Sequence, residues 1–384
     1  MLSPEQLEEL KKIRRTIHGA PESSGEEKRT AEFIKSELEK THPDEIVDGI
    51  GGHGLVAIYK GENSDEGKNL MFRSELDGLK IDEENEFDHT SKTQNRMHAC
   101  GHDGHMTIIL GVAKHLKENR PEKGSVMLLF QPAEETGEGA GWMLEDPKFK
   151  KLKIDRGFAL HNLPGYEENH VYIKDETFAC ASVGLEVVFK GKSSHAAYPG
   201  EGINPAQSVA KLVKRLGQID GDSRKQDLFN ILTITYIQMG EEVFGVSPGM
   251  AKMGITLRAE TDELLDMLKK DVMNAVDKVK KGFEGSIFYE EKEPFAATVN
   301  DRQGIESVIK TVKAADVLVE MLDKPMYWSE DFGRFREKCP IVLFGLGAGK
   351  DSFPLHSEKY DFNDKLIPTG VTLFVNLIEL YCDE

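Results

Sequence analysis

The segment from His98 to His105 has the most concentrated chemistry in the chain and reads His-Ala-Cys-Gly-His-Asp-Gly-His. The chain has only 12 histidines and 4 cysteines, so this clustering is unusual. Cys100 and His102 are two residues apart, so both side chains can point at one ion from a short extended loop. An apolar run that favours a helix, Met106–Leu116, follows directly. The segment predicts one edge of a metal site; a His-rich surface loop is the alternative.

Two adjacent carboxylates, Glu134 and Glu135, end the sequence Gln-Pro-Ala-Glu-Glu that begins at Gln131. The apolar run Ser125–Phe130 before them predicts a strand. Neighbouring side chains at a strand end point in different directions, so one carboxylate can bind a metal while the other faces a water molecule. Metal-assisted hydrolysis needs this division between a ligand and a general base. A solvated surface pair is the alternative for two glutamates considered alone.

Two further histidines, His161 and His356, follow an apolar run and a Pro-containing loop respectively. Each alone is more typical of a hydrogen-bonded packing residue than of a ligand. A set of five ligands exceeds one tetrahedral site and suits two metals that share a bridging group. A thiolate can bridge, and it favours zinc or another late divalent ion over magnesium. The candidate ligands are Cys100, His102, Glu135, His161 and His356.

Strand-like and helix-like segments alternate in the first part of the chain, which predicts an α/β unit. Glu75 and Asp77 follow the strand-like run Asn69–Arg73. Open α/β sheets bind ligands at the carboxyl ends of their strands, so these residues are placed to take part in a site. Ser24 and Glu27 have the spacing of a capping box and predict a helix near 25–40.

The pattern changes from about residue 180. Strands and helices are predicted in the order β-α-β-β-α-β, from Val183–Lys190 to Ser286–Glu291, which is typical of a ferredoxin-like unit. Alternation of helix and strand resumes after about 295. We therefore expect a catalytic domain formed by residues 1–179 and 295–384, interrupted by an inserted domain at 180–294.

Composition excludes several classes of partner. The net charge of −18 argues against nucleic acid and against anionic membranes, since both require clustered Lys and Arg. No apolar run approaches the roughly 20 residues of a membrane helix, and the N-terminal sequence lacks an apolar signal core. The cysteines are scattered without paired spacing, so we expect no disulfide framework and a reducing, cytoplasmic location. They are Cys100, Cys180, Cys339 and Cys382.

The segment Met97–His105 resembles the signature of the M20 metallopeptidase family, specifically its amidohydrolase branch. This branch contains N-acyl-amino-acid deacylases, hippurate hydrolases, hydrolases of auxin–amino-acid conjugates and N-acetyl-diaminopimelate deacetylases. The resemblance implies a mixed-sheet α/β catalytic domain of the zinc-peptidase type with an inserted ferredoxin-like α+β lid domain. Further matching motifs occur in order along nearly the whole chain: Arg14–His18 with Pro21 and Glu22, Gln131–Glu135, Ala159–His161, Gly191–Pro199, Ser329–Gly333 and Leu355–Ser357.

The resemblance also implies a role for each candidate ligand. Cys100 would bridge two divalent ions, either zinc, manganese, cobalt or nickel. Glu134 would be the general base that deprotonates a metal-bound water and then protonates the leaving amine. The residues that complete the metal shells would be His102, Glu135, His161 and His356.

In the inserted domain, the resemblance implies that His195 stabilises the oxyanion, often at the site of a partner subunit. A homodimer or a higher homo-oligomer is therefore expected. Arg258 would bind a substrate carboxylate, a task for which a planar guanidinium is well suited. Asn204 is a candidate substrate contact, but we favour a role in capping the helix at Pro205.

Glu75 departs from the branch, which normally has Asp-x-Asp at this place, whereas metallopeptidases elsewhere in the family have His-x-Asp. Because the branch already uses a histidine at the position of His102 as a ligand, Glu75 need not bind metal. We expect it to lie behind the ligands with Asp77, where the two carboxylates orient a ligand histidine.

The resulting hypothesis is a metal-dependent amidohydrolase that removes the acyl group from small N-acyl amino acids. A dipeptidase or aminopeptidase of the same family is the alternative, and Cys100 with His102 argues against it. A non-catalytic binding protein is a second alternative, against which the complete ligand set argues. A redox role for Cys100 lacks a resolving cysteine close in sequence.

Overall fold

A computed structural model of the protein describes residues 2–219 and 228–382. The chain forms two compact units. The larger unit consists of Met1–Phe178, Thr298–Pro325 and Glu330–Glu384, and the second of Ala179–Ala297 with Met326–Ser329. The sequence placed the domain boundaries at 179/180 and 294/295 and did not predict that Met326–Ser329 joins the second unit.

The regular elements of the described residues are as follows. The helices are α1 (Pro4–His18), α2 (Lys28–Glu39), α3 (His102–Glu118), α4 (Gly139–Glu145), α5 (Pro147–Lys150), α6 (Ala206–Leu216), α7 (Asp262–Lys280), α8 (Arg302–Ala314) and α9 (Leu366–Cys382), with 3₁₀ turns at Pro199–Glu201 and Asp331–Glu337. The strands are β1 (Glu45–Ile50), β2 (Gly54–Lys60), β3 (Asn69–Glu75), β4 (Ser125–Gln131), β5 (Arg156–Pro164), β6 (Val171–Ile173), β7 (Thr177–Ala179), β8 (Ala181–Lys190), β9 (Ser194–His195), β10 (Asn230–Met239), β11 (Val246–Ser247), β12 (Met250–Ala259), β13 (Ser286–Phe295), β14 (Thr298–Val299), β15 (Val319–Met321) and β16 (Ile341–Gly349).

The larger unit is built on an eight-stranded mixed sheet with the order β1-β2-β4-β3-β5-β16-β6-β15. The four central strands β4, β3, β5 and β16 run parallel to one another. They are buried almost throughout, as expected for parallel strands that are covered on both faces. The register pairs Glu75 with Gln131, so β3 and β4 end side by side. The predicted mixed α/β fold is thereby confirmed.

Helix α3 crosses the core of the larger unit and packs against α1 and α9. It is buried along most of its length, which suits a helix that is apolar on nearly every side. Gly101 precedes its first residue, His102, and has φ +91°, a conformation that favours glycine. The fold therefore places the Cys100–His102 segment at the buried start of a helix.

The second unit contains a four-stranded antiparallel sheet with the order β10-β12-β8-β13. Its elements follow one another as β8-α6-β10-β12-α7-β13, with the short pair β9 and β11 in addition. Among the residues that the structure describes, no helix has the length and apolar character needed to cross a membrane.

The predicted capping box at Ser24 and Glu27 is wrong. Helix α2 begins at Lys28, and its N-cap residue Glu27 makes no side-chain cap. The Ser24 hydroxyl instead donates to Asp77 Oδ2 (2.7 Å), and Glu27 Oε1 accepts from the backbone N–H of Ala133 (2.8 Å). Both side chains are used by the segments around Glu134 rather than by the helix.

Candidate metal centre

The structure brings all five candidate ligands together within the larger unit. Two groups have ligand atoms within 4.8 Å of one another: Cys100 with His102 and His161, and Cys100 with Glu135 and His356. Cys100 belongs to both groups. The arrangement therefore has the composition of two neighbouring cation positions that share a thiolate.

The distances between these atoms suit a shared cation better than they suit hydrogen bonds. His102 Nε2 lies 3.8 Å from Glu135 Oε1, and His356 Nε2 lies 3.7 Å from Glu135 Oε2. Both separations are too long for a hydrogen bond. Two atoms bound tetrahedrally at ~2.1 Å to one ion lie ~3.4 Å apart, close to the separation of His356 and Glu135, which belong to the same group.

Two of the buried ligand atoms also make no hydrogen bond: His102 Nε2 and Glu135 Oε1. Buried polar atoms are almost always hydrogen-bonded, and a bound ion is one of the accepted explanations for an exception. Thiolate, imidazole and carboxylate donors together are typical of zinc and other late divalent ions. The residues present therefore fit a pair of divalent cations.

The backbone is held in uncommon conformations where it presents these ligands. Ala133, which precedes Glu134, has φ +50°, and His356 has φ +64°. A positive φ is uncommon for residues other than glycine, and such residues cluster at functional sites. The backbone N–H of His356 donates to the carbonyl of Ala99 (2.8 Å), which ties this turn to the Cys100 segment.

Hydrogen bonds orient the ligand histidines. His102 Nδ1 donates to the backbone carbonyl of Asp77 (2.8 Å), and His161 Nδ1 donates to the carbonyl of Asn162 (2.8 Å). Each bond leaves Nε2 as the atom directed at the ligand groups, which is how supporting residues select the metal-binding nitrogen of a histidine. The Asp77 carboxylate accepts from the backbone N–H of Glu134 (3.2 Å) and of Glu135 (3.0 Å).

Glu75 contacts a histidine that was not among the predicted ligands. Its Oε2 accepts from His105 Nδ1 (2.8 Å), and its Oε1 accepts from Arg73. Among the ligand histidines, His102 is oriented by the Asp77 carbonyl rather than by Glu75. Glu75 is fully buried, so it is not a surface residue.

The sequence did not reveal the fully buried guanidinium of Arg73 as a part of this region. Arg73 Nε donates to Gln131 Oε1, and Nη2 donates to Glu330 Oε1 and Asp331 Oδ1, each at 2.9 Å. The available signal was an arginine inside an otherwise apolar strand. Glu330 and Asp331 lie in the Ser329–Gly333 motif, to which the sequence assigned no role.

The site brings several carboxylates together in a buried environment, and their pKa values are shifted. Burial raises the pKa of Glu134 well above its usual range, and the charges of Glu330 and Glu135 raise it further. Burial likewise raises the pKa of Glu135 to about 7. Burial lowers the pKa of His102, but nearby carboxylates led by Glu75 outweigh it and raise the value to about 10. A bound cation would be stabilised by these same charges.

The pKa values of Cys100 and His161 are shifted in opposite directions. Burial raises the pKa of the Cys100 thiol well above its usual range, and the charges of Glu135 and Glu134 add to this effect. Burial lowers the pKa of His161 to about 3, so its imidazole is neutral at pH 7 and ready to bind a metal.

The remaining predicted site residues lie in the second unit. The exposed His195 is on β9, and its Nδ1 accepts from the backbone N–H of Ala197 (3.0 Å). Arg258 is on β12, where its Nη1 donates to Ser329 Oγ (3.0 Å). Asn204 Oδ1 accepts from the N–H of Ala206 (2.9 Å), the first residue of α6, so its side chain contacts the start of this helix, whose N-cap residue is Pro205.

Comparison with known proteins agrees with these features. Residues 71–380 match the sequence profile of peptidase family M20/M25/M40. The chain belongs to this family. It is 31% identical to IAA-amino acid hydrolase ILR1-like 2 of Arabidopsis thaliana, over 100% of this chain and 87% of that protein. It is 30% identical to the hippurate hydrolase of Campylobacter jejuni, over 99% of each protein, and 28% identical to the N-acetyldiaminopimelate deacetylase of Enterococcus faecalis, over 95% of each.

Solved structures share the fold of this M20 chain. A protein from methicillin-resistant Staphylococcus aureus superposes with a TM-score of 0.86 at 24% identity, over 98% of this chain and 97% of that one. The Bacillus subtilis YXEP protein, a dinuclear metal-binding peptidase from the M20 family, superposes with a TM-score of 0.80 at 23% identity, over 98% of both. The family and the relatives of this M20 chain identify it as a hydrolase that acts on amide bonds.

The protonation of the ligands predicts that metal uptake by the M20 chain releases protons. Without a cation, Cys100 and His102 hold protons at pH 7 because both pKa values are raised. Both must lose them to bind a metal, so affinity for Zn²⁺ should rise as pH rises from about 6 to about 9. Titration calorimetry of metal-free protein in buffers of different ionisation enthalpy measures the protons released. Affinity that is independent of pH, without proton release, would contradict the assignment of these ligands.

Proposed function

We propose that this chain is a metal-dependent amidohydrolase that removes the acyl group from N-acyl amino acids. The observation that best supports this function is the pair of ligand groups that share Cys100, with the Glu134 carboxylate 3.7 Å from His102 Nε2. The relatives named above point to the substrate class. Indole-type conjugates, hippurate and N-acetyldiaminopimelate each contain an amide between an acyl group and the nitrogen of an amino acid.

The proposed ligands would hold two divalent ions, either zinc, manganese, cobalt or nickel. Such ions would supply Lewis acidity that polarises the amide carbonyl and makes a water molecule more acidic. The residues that hold them would be Cys100 between the two positions, His102 and His161 at one, and Glu135 and His356 at the other.

Glu134 is proposed to move the proton in this reaction. Its carboxylate is nearly fully buried and faces His102, while the N–H of its own backbone is fixed by Asp77. It would accept a proton from the attacking water and then deliver that proton to the nitrogen of the leaving amino acid. A raised pKa helps a carboxylate to hold the proton between these two steps, because the proton must neither escape nor bind irreversibly.

Two residues of the second unit are proposed to bind the substrate. Arg258 would contact the substrate carboxylate through its planar guanidinium, which Ser329 Oγ and the carbonyl of Tyr327 hold through Nη1. His195 would stabilise the oxyanion through an imidazole N–H. The homo-oligomeric state and the cytoplasmic location stay predictions from the sequence.

A panel of substrates tests the proposed class. Enzyme loaded in turn with zinc, manganese, cobalt and nickel should hydrolyse N-acetyl and N-benzoyl amino acids with a higher kcat/KM than dipeptides that have a free amino group. The release of the free amino acid is the measurement. A preference for dipeptides under every metal would instead identify a dipeptidase or aminopeptidase of the same family.

Replacing the proposed base tests the proton transfer. Glu134→Gln keeps the size of the side chain but cannot accept the proton, so kcat should fall by about 10²- to 10⁴-fold. Metal content should not change, because Glu134 is not among the five proposed ligands. Glu138→Gln is the matched control, since Glu138 is exposed and lies four residues further along the chain, as the N-cap residue of α4. A kcat near that of the wild type in Glu134→Gln would show that another group is the base.

The role of Arg258 predicts a selective effect on KM. In Arg258→Lys, the bidentate contact is lost, so KM for N-acyl amino acids should rise by about 10- to 100-fold with a smaller change in kcat. The corresponding N-acyl amino amides lack the carboxylate and should show little change. Arg215→Lys, at an exposed position of α6, is the control. Equal rises in KM for acids and amides would argue against a carboxylate contact.

A further inference from the structure

The carboxylate of Glu75 accepts hydrogen bonds from two buried side chains, those of Arg73 and His105. Oε1 accepts from Arg73 Nη1, and Oε2 accepts from His105 Nδ1 (2.8 Å). All three side chains are buried. Glu75 is the last residue of β3 and His105 lies in the first turn of α3, so this carboxylate connects the central sheet to the helix that follows Cys100.

The other ring nitrogen of His105 continues the connection to β5. His105 Nε2 accepts from the backbone N–H of Asn162 (3.1 Å). The Asn162 side chain then donates from Nδ2 to the carbonyl of Cys100 (2.8 Å) and accepts at Oδ1 from the hydroxyl of Tyr360 (2.7 Å). Asn162 therefore contacts the backbone of one ligand residue and is the chain neighbour of another, His161.

These contacts determine the tautomer of His105. A backbone N–H can only donate, so Nε2 must be the acceptor and Nδ1 must carry the hydrogen. Glu75 must then accept at both of its oxygens, one from Arg73 and one from His105. A carboxylate meets this requirement, whereas an amide would turn an NH₂ group towards one of the two donors.

A direct role of Glu75 as a metal ligand is disfavoured by the same contacts. Glu75, His102 and His105 have atoms within 4.8 Å of one another and so form a further group of metal-binding residue types. However, both oxygens of Glu75 and both ring nitrogens of His105 are already engaged in hydrogen bonds. A shorter aspartate at position 75 would lose one of the two contacts that the glutamate makes.

We propose that Glu75 is a positioning residue that acts through His105 and Asn162 to fix the separation of Cys100 and His161, and thereby sets the affinity of the centre for divalent ions. We call this set the Glu75–His105–Asn162 relay. It rests on the proposed metal centre and concerns metal binding, not the identity of the substrate. Supporting residues behind metal ligands commonly change metal affinity by about 10- to 100-fold when they are replaced.

A double-mutant cycle on Zn²⁺ affinity tests the relay. The dissociation constant for Zn²⁺ is measured on metal-free full-length protein by competition with a chromophoric chelator. Glu75→Gln and His105→Ala should each weaken binding by about 10- to 100-fold. Because the two residues act in series, the double variant should be no weaker than the weaker single variant. Fold-changes that multiply in the double variant would overturn the proposal.

A milder pair of variants decides the question if Glu75→Gln or His105→Ala does not fold. Tyr360→Phe removes only the hydroxyl that donates to Asn162, and it should weaken Zn²⁺ binding several-fold while the thiolate-to-metal absorption of the Co²⁺ form shifts. Tyr381→Phe is the matched control, because it removes a hydroxyl bonded to Ser307 Oγ (2.7 Å) instead. Wild-type Zn²⁺ affinity and an unchanged Co²⁺ spectrum in Tyr360→Phe would overturn the relay.

The two proposals fail in distinguishable ways. If the wild type binds Zn²⁺ and the relay variants bind it more weakly, but no N-acyl amino acid is hydrolysed, the substrate assignment is wrong and the relay stands. If N-acyl amino acids are hydrolysed while the relay variants bind Zn²⁺ like the wild type, the relay is wrong and the function stands. If the wild type binds no Zn²⁺, both are wrong.

Discussion

A buried guanidinium organises one end of the central sheet in this M20 chain. Arg73 is enclosed by Glu75, Glu330, Asp331 and the amide oxygen of Gln131. A charge without access to water must be paired, and removing one partner of a buried pair costs about 3–5 kcal/mol. The ends of β3 and β4 and the Glu330–Asp331 segment are therefore obliged to meet at this point. Glu134 and Glu135 follow the end of β4 at this point.

Three carboxylates, those of Glu75, Glu330 and Asp331, surround the single positive charge of Arg73. Burial raises the pKa of Asp331 to about 8, with Arg73 opposing the rise and Glu330 adding to it. Glu134 and Glu135 lie nearby and have raised pKa values for the same main reason. A divalent cation bound at the candidate site would supply further positive charge and lower these pKa values. The same cluster of buried carboxylates thus favours a bound cation and includes Glu134, the residue proposed to carry the proton.

The sequence predicted the parts of the site that depend on residue type and on the ends of strands. Cys100, His102 and Glu135 were recognisable because soft ligands and paired carboxylates are uncommon at such positions. The neighbouring strand ends were predictable in kind: β3 and β4 are parallel, and their last residues, Glu75 and Gln131, are in register. The mixed α/β fold was predictable from the alternation of strands and helices, because this alternation is a local pattern in the sequence.

Pairings between residues far apart in the chain were not predictable. Arg73 and Glu330 are 257 positions apart, and no local pattern connects an arginine in an apolar strand to that motif. Ser329 bonds Arg258, 71 positions away, within the second unit, which explains why a four-residue segment leaves the larger unit. The capping box failed because Asp77 competes for the Ser24 hydroxyl. Each of these outcomes depends on tertiary contacts that the helix and strand periods do not encode.

The most direct test of the account is the location of metal in crystals of the zinc-loaded protein by anomalous diffraction at the zinc edge. We predict two peaks about 3.5–4 Å apart, both at bonding distance, ~2.3 Å, from Cys100 Sγ. A single peak, or two peaks of which either lacks Cys100 as a ligand, would contradict the central claim that one thiolate is shared by two cations.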